Sequence, residues 1–240
     1  MSTLPKIDSP IYTVKLPVSK IDIKYRPYVV KEHKILLMAI ESKEQESLVD
    51  AIKQIVNNCV LNKNVDISTL PATDIEFLFY QLRARSQSET VDLRYKCENL
   101  VDENVCGGSM YHKLNLLTDL EVTEPISNII QITDKIGVKL NHQKFELNSI
   151  KGDVLTPEEE FNIVIKNIDF IYDEKSQYTS KDTPKEELMS WLENLSIEQY
   201  AKIGEFYANE PIIYKHIELK CKKCGMEHKL NVENIFDFFI

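Results

Sequence analysis

Four of the five cysteines fall into two distant pairs, and their thiolates are the groups in this chain best suited to chemistry. Cys97 and Cys106 lie in K-C-E-N-L-V-D-E-N-V-C-G-G, and Cys221 and Cys224 in K-C-K-K-C-G-M-E-H. The second pair is a C-x₂-C-G knuckle. The first is a wider C-x₈-C loop closed by Gly107-Gly108. Together they can supply four thiolates to one tetrahedral structural Zn²⁺, joining segments more than a hundred residues apart. A closed four-thiolate site has no open position for a substrate, so it points to a stapled scaffold and away from an enzyme. Two alternatives stand beside this reading. Cys97 and Cys106 are unrelated free thiols, or His112 or His228, near the cysteines in sequence, replaces one thiolate as ligand.

The segments around the cysteines alternate apolar and polar side chains. Val91–Lys96 and Tyr111–Leu116 predict one β-hairpin with Cys97 and Cys106 at its tip. Tyr214–Lys220 and Met226–Asn231 predict a second around Cys221 and Cys224. Two such hairpins make a zinc ribbon, here split by an insertion. The expected organisation is an N-terminal hairpin and helical region at 1–88, a zinc-ribbon-like region at 89–116 plus 213–240, and an inserted subdomain at 117–212. The fold class is α+β.

In the first region, Ile11–Leu16 and Ile21–Tyr25 predict a hairpin turned near Val18-Ser19-Lys20. Helices are predicted over Val30–Ser42, with Leu36, Leu37 and Ile40 on one side, and over Glu46–Cys59. A third starts from a Thr73/Glu76 capping box and carries Ile75, Leu78, Phe79 and Leu82 as its apolar stripe. Cys59 closes an apolar stripe and reads as a small buried hydrophobe. In the insertion, strands are predicted at Ile129–Ile132 and Gly137–Leu140. Helices then start at Thr156-Pro157, Thr183-Pro184 and Ser196, and 173–182 reads as a polar loop.

The net charge of −9 opposes a phosphate-tracking surface, so nucleic acid is not the expected partner. The segment Ile213–Val232 is an exception, with five lysines against two glutamates. It motivates a rival reading, a zinc-ribbon nucleic-acid binder acting in transcription or replication, carried by Lys220, Lys222 and Lys223. A metal enzyme with an open coordination position is a second rival. No phosphate-binding, dinucleotide, zincin or nucleophile-elbow motif is present, so no catalytic residue is assigned. No charged-then-apolar leader and no apolar run near the roughly 20 residues of a membrane span are present, so a cytoplasmic protein is expected. Disulfides rarely persist in that compartment, which favours metal over cystine. The apolar run Ile235-Phe236-Asp237-Phe238-Phe239-Ile240 reads either as a segment tucked into the core or as a docking segment for a partner.

The run Y-R-P-Y-V-V-K-E-H-K-I-L-L-M-A-I-E-S, Tyr25–Ser42, resembles the baseplate hub subunit (hub assembly protein) family of T4-like, T-even-type tailed phages. The similarity continues in Leu70-Pro71, in Asp74-Ile75-Glu76-Phe77-Leu78-Phe79 and in Leu82-Arg83-Ala84-Arg85-Ser86. It extends to the cysteines at 97 and 106, the Cys221/Cys224 knuckle and Phe238-Phe239. The resemblance implies a non-enzymatic assembly role in building the central hub of a contractile-tail baseplate. It implies hub or tape-measure proteins as partners, with this chain as a chaperone for them. The place of action would be the infected host's cytoplasm, then the virion tail. Within the strongest block, Arg26, Glu32 and Lys34 either pair with one another and cap the first helix or face a partner, as Phe236, Phe238 and Phe239 would.

Overall fold

The structure, a computed structural model, describes Pro5 and residues 7–146, 156–233 and 235. It is a mixture of helices and small antiparallel sheets, as the α+β expectation requires. The chain forms two compact units. The first takes residues up to Thr123 and from Ile212 onward, and the second is Glu124–Pro211. Among the described residues, no helix is long and apolar enough to cross a membrane.

The first unit opens with a hairpin of β1 (Tyr12–Lys15) and β2 (Asp22–Tyr25), Tyr12 opposite Tyr25. Three helices follow, α1 (Val30–Ser42), α2 (Gln45–Cys59) and α3 (Ala72–Ser86), with α2 packed against both others. Val49, Ile52, Val56 and Cys59 recur at helical spacing and are all buried, so α2 is the central helix. Burial pushes the Cys59 thiol up to about 11, consistent with an inert packed hydrophobe. In α1 the expected face is rotated. Leu36 and Ala39 are buried while Leu37 is exposed, and the third buried residue is Glu32.

That acid sets how the helix starts. Its Oε2 accepts from Val29 N at 3.0 Å, and its Oε1 accepts from Arg26 Nη2 at 2.9 Å. Arg26 also donates to the carbonyls of Pro27 and Asn58, so one guanidinium ties the β2–α1 connection to the end of α2. Burial alone would raise the Glu32 pKa. The Arg26 guanidinium and the Val29 N–H outweigh it and hold the carboxyl below its usual range.

The predicted Thr73/Glu76 capping box does not form. Pro71 is the N-cap, so Asp74 occupies the third helical position and Glu76 the fifth. Asp74 is fully buried, and its carboxylate accepts from Val18 N at 2.8 Å and Ser19 N at 2.9 Å. The acid at the helix start thus caps the β1–β2 turn, a long-range partnership that a local pattern cannot reveal. Glu76, one turn in, has no free helix N–H to accept, and burial pushes it up to about 8. Ile75, Leu78, Phe79 and Leu82 are buried as the stripe predicts.

The same unit holds the two long hairpins. β3 (Thr90–Lys96) pairs with β6 (Ser109–Asn115), and β12 (Ile213–Lys220) with β13 (Glu227–Val232). A two-residue strand, β7 (Glu121–Val122), adds to the far edge of β12 through Ile213↔Val122, just before the chain leaves for the second unit. Its brevity hid it from the periodicity argument.

The second unit is built on a four-stranded antiparallel sheet, order β11-β10-β9-β8. Its strands are β8 (Ile129–Gln131), β9 (Gly137–Leu140), β10 (Ile168–Tyr172) and β11 (Gln177–Thr179). Helices α4 (Pro157–Asn167), α5 (Lys185–Glu193) and α6 (Ile197–Ala208) supply Val164, Ile165, Leu188, Leu192, Ile203 and Phe206 to one core with Val138 and Leu140 of the sheet. Thr156 with Glu159, and Ser196 with Gln199, form capping boxes at two of the predicted helix starts. The cap of α5 is Pro184 rather than Thr183. Ile168 opens β10 directly after the end of α4, and the polar segment expected as a loop contains β11. Asp173 accepts from Lys175 N at 2.7 Å and Ser176 N at 2.8 Å, which closes that turn.

Two stability outcomes follow from the opposite shifts of Glu32 and Glu76. The depressed Glu32 pKa contributes stability present above about pH 4.5 and lost as pH falls through the folded value. Glu32→Gln should lower unfolding free energy by about 2 kcal/mol at neutral pH, and denaturant titrations should show the deficit closing in acid. Glu76 behaves oppositely, because its folded form retains a proton that the unfolded chain releases between about pH 4.5 and 8. Stability should therefore fall as pH rises through that window, and Glu76→Gln should flatten the slope and exceed the parent protein at about pH 9.

Candidate metal centre

The hairpin tips bring Cys97, Cys106, Cys221 and Cys224 together, with their four Sγ atoms all within 4.8 Å of one another. Cys97 Sγ lies 3.5 Å from Cys224 Sγ, and Cys106 Sγ lies 3.8 Å from Cys221 Sγ. A tetrahedron with metal–sulfur arms of about 2.3 Å has edges of about 3.8 Å. The cluster therefore has the dimensions of a four-thiolate site and can hold a metal ion. Cys97, Cys106 and Cys221 are buried, and Met110, Tyr95 and Leu219 pack around the cluster.

The wide spacing of the first pair has a structural reason. Cys106 N donates to Asn99 O at 2.8 Å, and the six residues between them project as a small hairpin. Its strands are β4 (Leu100–Val101) and β5 (Asn104–Val105), paired Leu100↔Val105. Asp102 (φ 49°) and Glu103 (φ 66°) make its turn, both in the left-handed region that a two-residue type I′ turn demands. Removing that excursion leaves Cys97-Glu98-Asn99-Cys106, a C-x₂-C knuckle. Glycine follows the last cysteine of each knuckle at positive φ, Gly107 at 64° and Gly225 at 78°.

The backbone treats the four sulfurs alike. Cys97 receives the N–H of Asn99, Cys106 that of Gly108, Cys221 that of Lys223 and Cys224 that of Met226, in each case two residues on. Amides converging on sulfur disperse thiolate charge, which is the chemistry a cysteine–metal centre requires. The Met226 N–H holds Cys224 below the ordinary thiol range, and the N–H groups of Cys224 and Lys223 do the same for Cys221. Burial pushes Cys97 up, so without a cation its proton would be retained.

Neither histidine joins the four ligand atoms. His112 sits across from Leu93 in the β3–β6 ladder. His228, on β13, brings Nε2 to 3.1 Å from Cys97 Sγ, where it can donate to a thiolate from behind. Asn99 Nδ2 lies 3.7 Å from Cys224 Sγ in the same outer layer. Sequence reasoning weighed His228 as a ligand and missed Asn99. The only signal for both was proximity to a cysteine. Of the knuckle lysines, Lys223 donates to Cys106 O and Lys220 pairs with Glu227 at 3.3 Å.

The other singled-out residues lie elsewhere. Arg26 and Glu32 make the paired contacts described above, and Lys34 is exposed on α1. Phe236, Phe238 and Phe239 lie outside the described residues.

Close packing at Gly108 supplies a test. A Cβ there would stand 2.6 Å from Cys221 Sγ and 3.1 Å from Lys223 Cβ, whereas one at Gly204 would meet nothing within 4 Å. Gly108→Ala should lower metal retention against a competing chelator by about tenfold or more, in the range of other disturbed outer-layer contacts. Gly204→Ala should leave it unchanged.

No curated protein and no solved structure matches the chain. A family model described as T4 bacteriophage base plate protein matches residues 9–240, a span that includes both knuckles and the Arg26–Glu32 block. The role is that of a phage baseplate protein, which implies contacts with other baseplate components. By that match over nearly its whole length, the chain belongs to the T4 bacteriophage base plate protein family.

Proposed function

We propose that this protein is a non-enzymatic assembly factor for the central hub of the contractile-tail baseplate, working by protein–protein contact on a zinc-stapled scaffold. The observation that carries the reading is the four-thiol cluster. Four sulfurs at tetrahedral spacing fill the coordination sphere of Zn²⁺ and leave no position for a substrate or activated water. The metal is then architectural. It closes a loop between Cys106 and Cys221, which are 115 positions apart, at a cost of about 4–5 kcal/mol in chain entropy. A structural zinc supplies about 10–16 kcal/mol in peptide hosts, enough to outweigh that cost.

In this role the partners are hub or tape-measure proteins, and the chain acts as their chaperone in the infected cell before or during incorporation into the tail. The exposed Lys34 and the apolar run containing Phe236, Phe238 and Phe239 are the candidate contacts. The nucleic-acid reading is weakened because Lys220 and Lys223 are engaged within the chain.

Two measurements test the proposal separately. Metal analysis of purified protein should give one zinc per chain, with zinc and solubility lost together in Cys224→Ser. A metal-free protein of equal stability would sink the zinc scaffold. Affinity capture from phage-infected cells, read by mass spectrometry, should recover hub or tape-measure proteins in near-stoichiometric amounts. Recovery of nucleic acid with polymerase subunits would instead establish the ribbon as a nucleic-acid binder.

A further inference from the structure

The second unit contains a cavity of about 550 Å³, far in sequence from the cysteines and unrelated to their chemistry. Its size is within the range of sites that enclose a small ligand or a large side chain. The floor is apolar, with Ile171 and Leu188 belonging to the unit's core. Tyr178 and Trp191 provide aromatic surface, and Asp173, Asp182 and Glu187 line the same cavity, with no lysine, arginine or histidine among the lining residues.

Several of these groups are held in place before any ligand arrives. Tyr172, also in the wall, lies across Gly137, where a Cβ would collide with its ring, and its hydroxyl donates to Gln131 Oε1 at 3.0 Å. Asp173 is fixed by two backbone N–H groups and by Tyr178 Oη, which donates to its Oδ2 at 3.2 Å. The same N–H groups keep its carboxyl below the ordinary range, so it is charged at neutral pH. Asp182 Oδ2 accepts from Thr179 Oγ1 at 2.5 Å. Glu187 is an exposed residue that also lines the cavity, and its carboxylate has no partner among the described residues.

Aromatic faces beside carboxylates over an apolar floor form a receptor for an organic cation. A guanidinium fits best, because its plane stacks on indole or phenol while its edge donates to carboxylates. We propose that this cavity is a docking site for an arginine side chain presented by a partner polypeptide. Charge complementarity selects that occupant: three carboxylates and no cation line the cavity, and a baseplate protein makes its contacts with other proteins. The proposal depends on the pocket's chemistry and stands whether or not the hub reading does.

Trp191 is the only tryptophan in the chain, so its fluorescence reports on this wall directly. The probe is acetyl-Gly-Arg-Gly-amide, titrated into the intact protein. Its citrulline counterpart, equal in shape and uncharged, is the control. A saturable change in Trp191 emission with the arginine peptide is expected, with the citrulline peptide weaker by about tenfold or more. Glu187→Gln, at an exposed position that should leave the circular dichroism spectrum unchanged, should weaken the arginine peptide by about tenfold. No saturable change, an equal response to both peptides, or full affinity in Glu187→Gln would overturn the proposal.

Discussion

The first unit depends on one convergence, four sulfurs drawn to a common point from two hairpins that are remote in sequence. Neither β3–β6 nor β12–β13 would be stable alone, because a two-stranded ribbon has no second layer against which to bury a face. Joined at their tips they share a small core in which Met110, Tyr95 and Leu219 surround the cysteines. The β12 strand also carries β7 on its other edge, so the same structure gathers the points where the chain departs for the second unit and returns from it. A cation at the cluster would neutralise thiolates that burial otherwise disfavours, which ties its presence to the integrity of the whole unit.

A second constraint acts at the N-terminal end, and it is also electrostatic. Glu32 and Asp74 are both fully buried, and each carboxylate accepts at least one hydrogen bond from a group outside its own helix. Glu32 draws on Arg26, and through it the end of α2 is fixed against the β2–α1 connection. Asp74 draws on the turn of the first hairpin. These pairings give the helices a unique register against the hairpin that apolar packing alone would specify poorly. They also account for several polar residues in the stretches that carry the resemblance, Arg26, Glu32 and Asp74 among them. Glu76 is the exception, since it is charged in the unfolded chain and is pushed toward neutrality in the fold.

The second unit uses different means. Its sheet and three helices form an apolar core with no cysteine in it, and its helices start with locally written caps. The wall of its cavity combines strand, turn and helix residues: Ile171 and Tyr172 from β10, Asp173 from the turn, Tyr178 from β11 and Trp191 from α5. The polar segment that reads as a loop therefore contributes much of this unit's distinctive chemistry. Its alternation is too short, and its strand too polar, for periodicity to reveal it.

What the sequence determined by itself was local in its physics. Helix periodicity placed α1, α2 and α3, because an apolar stripe every three to four residues has few other uses. The capping boxes at Thr156 and Ser196 were readable because both partners lie within four residues. The C-x₂-C-G knuckle and the alternating strands beside it announced the ribbon, and the resemblance of Tyr25–Ser42 announced the family. Tertiary structure decided what distance in sequence conceals. It showed C-x₈-C to be an ordinary knuckle interrupted by a hairpin whose Asp102-Glu103 turn lacks the usual asparagine–glycine signature. It moved the start of α3 and gave Asp74 to a turn 55 residues away. It set His228 behind a thiolate rather than among the ligands, and it assembled an acidic, aromatic cavity from strand, turn and helix. In each case the deciding contact joins groups from different elements. The free energy of that contact depends on a geometry that exists only after the chain has folded.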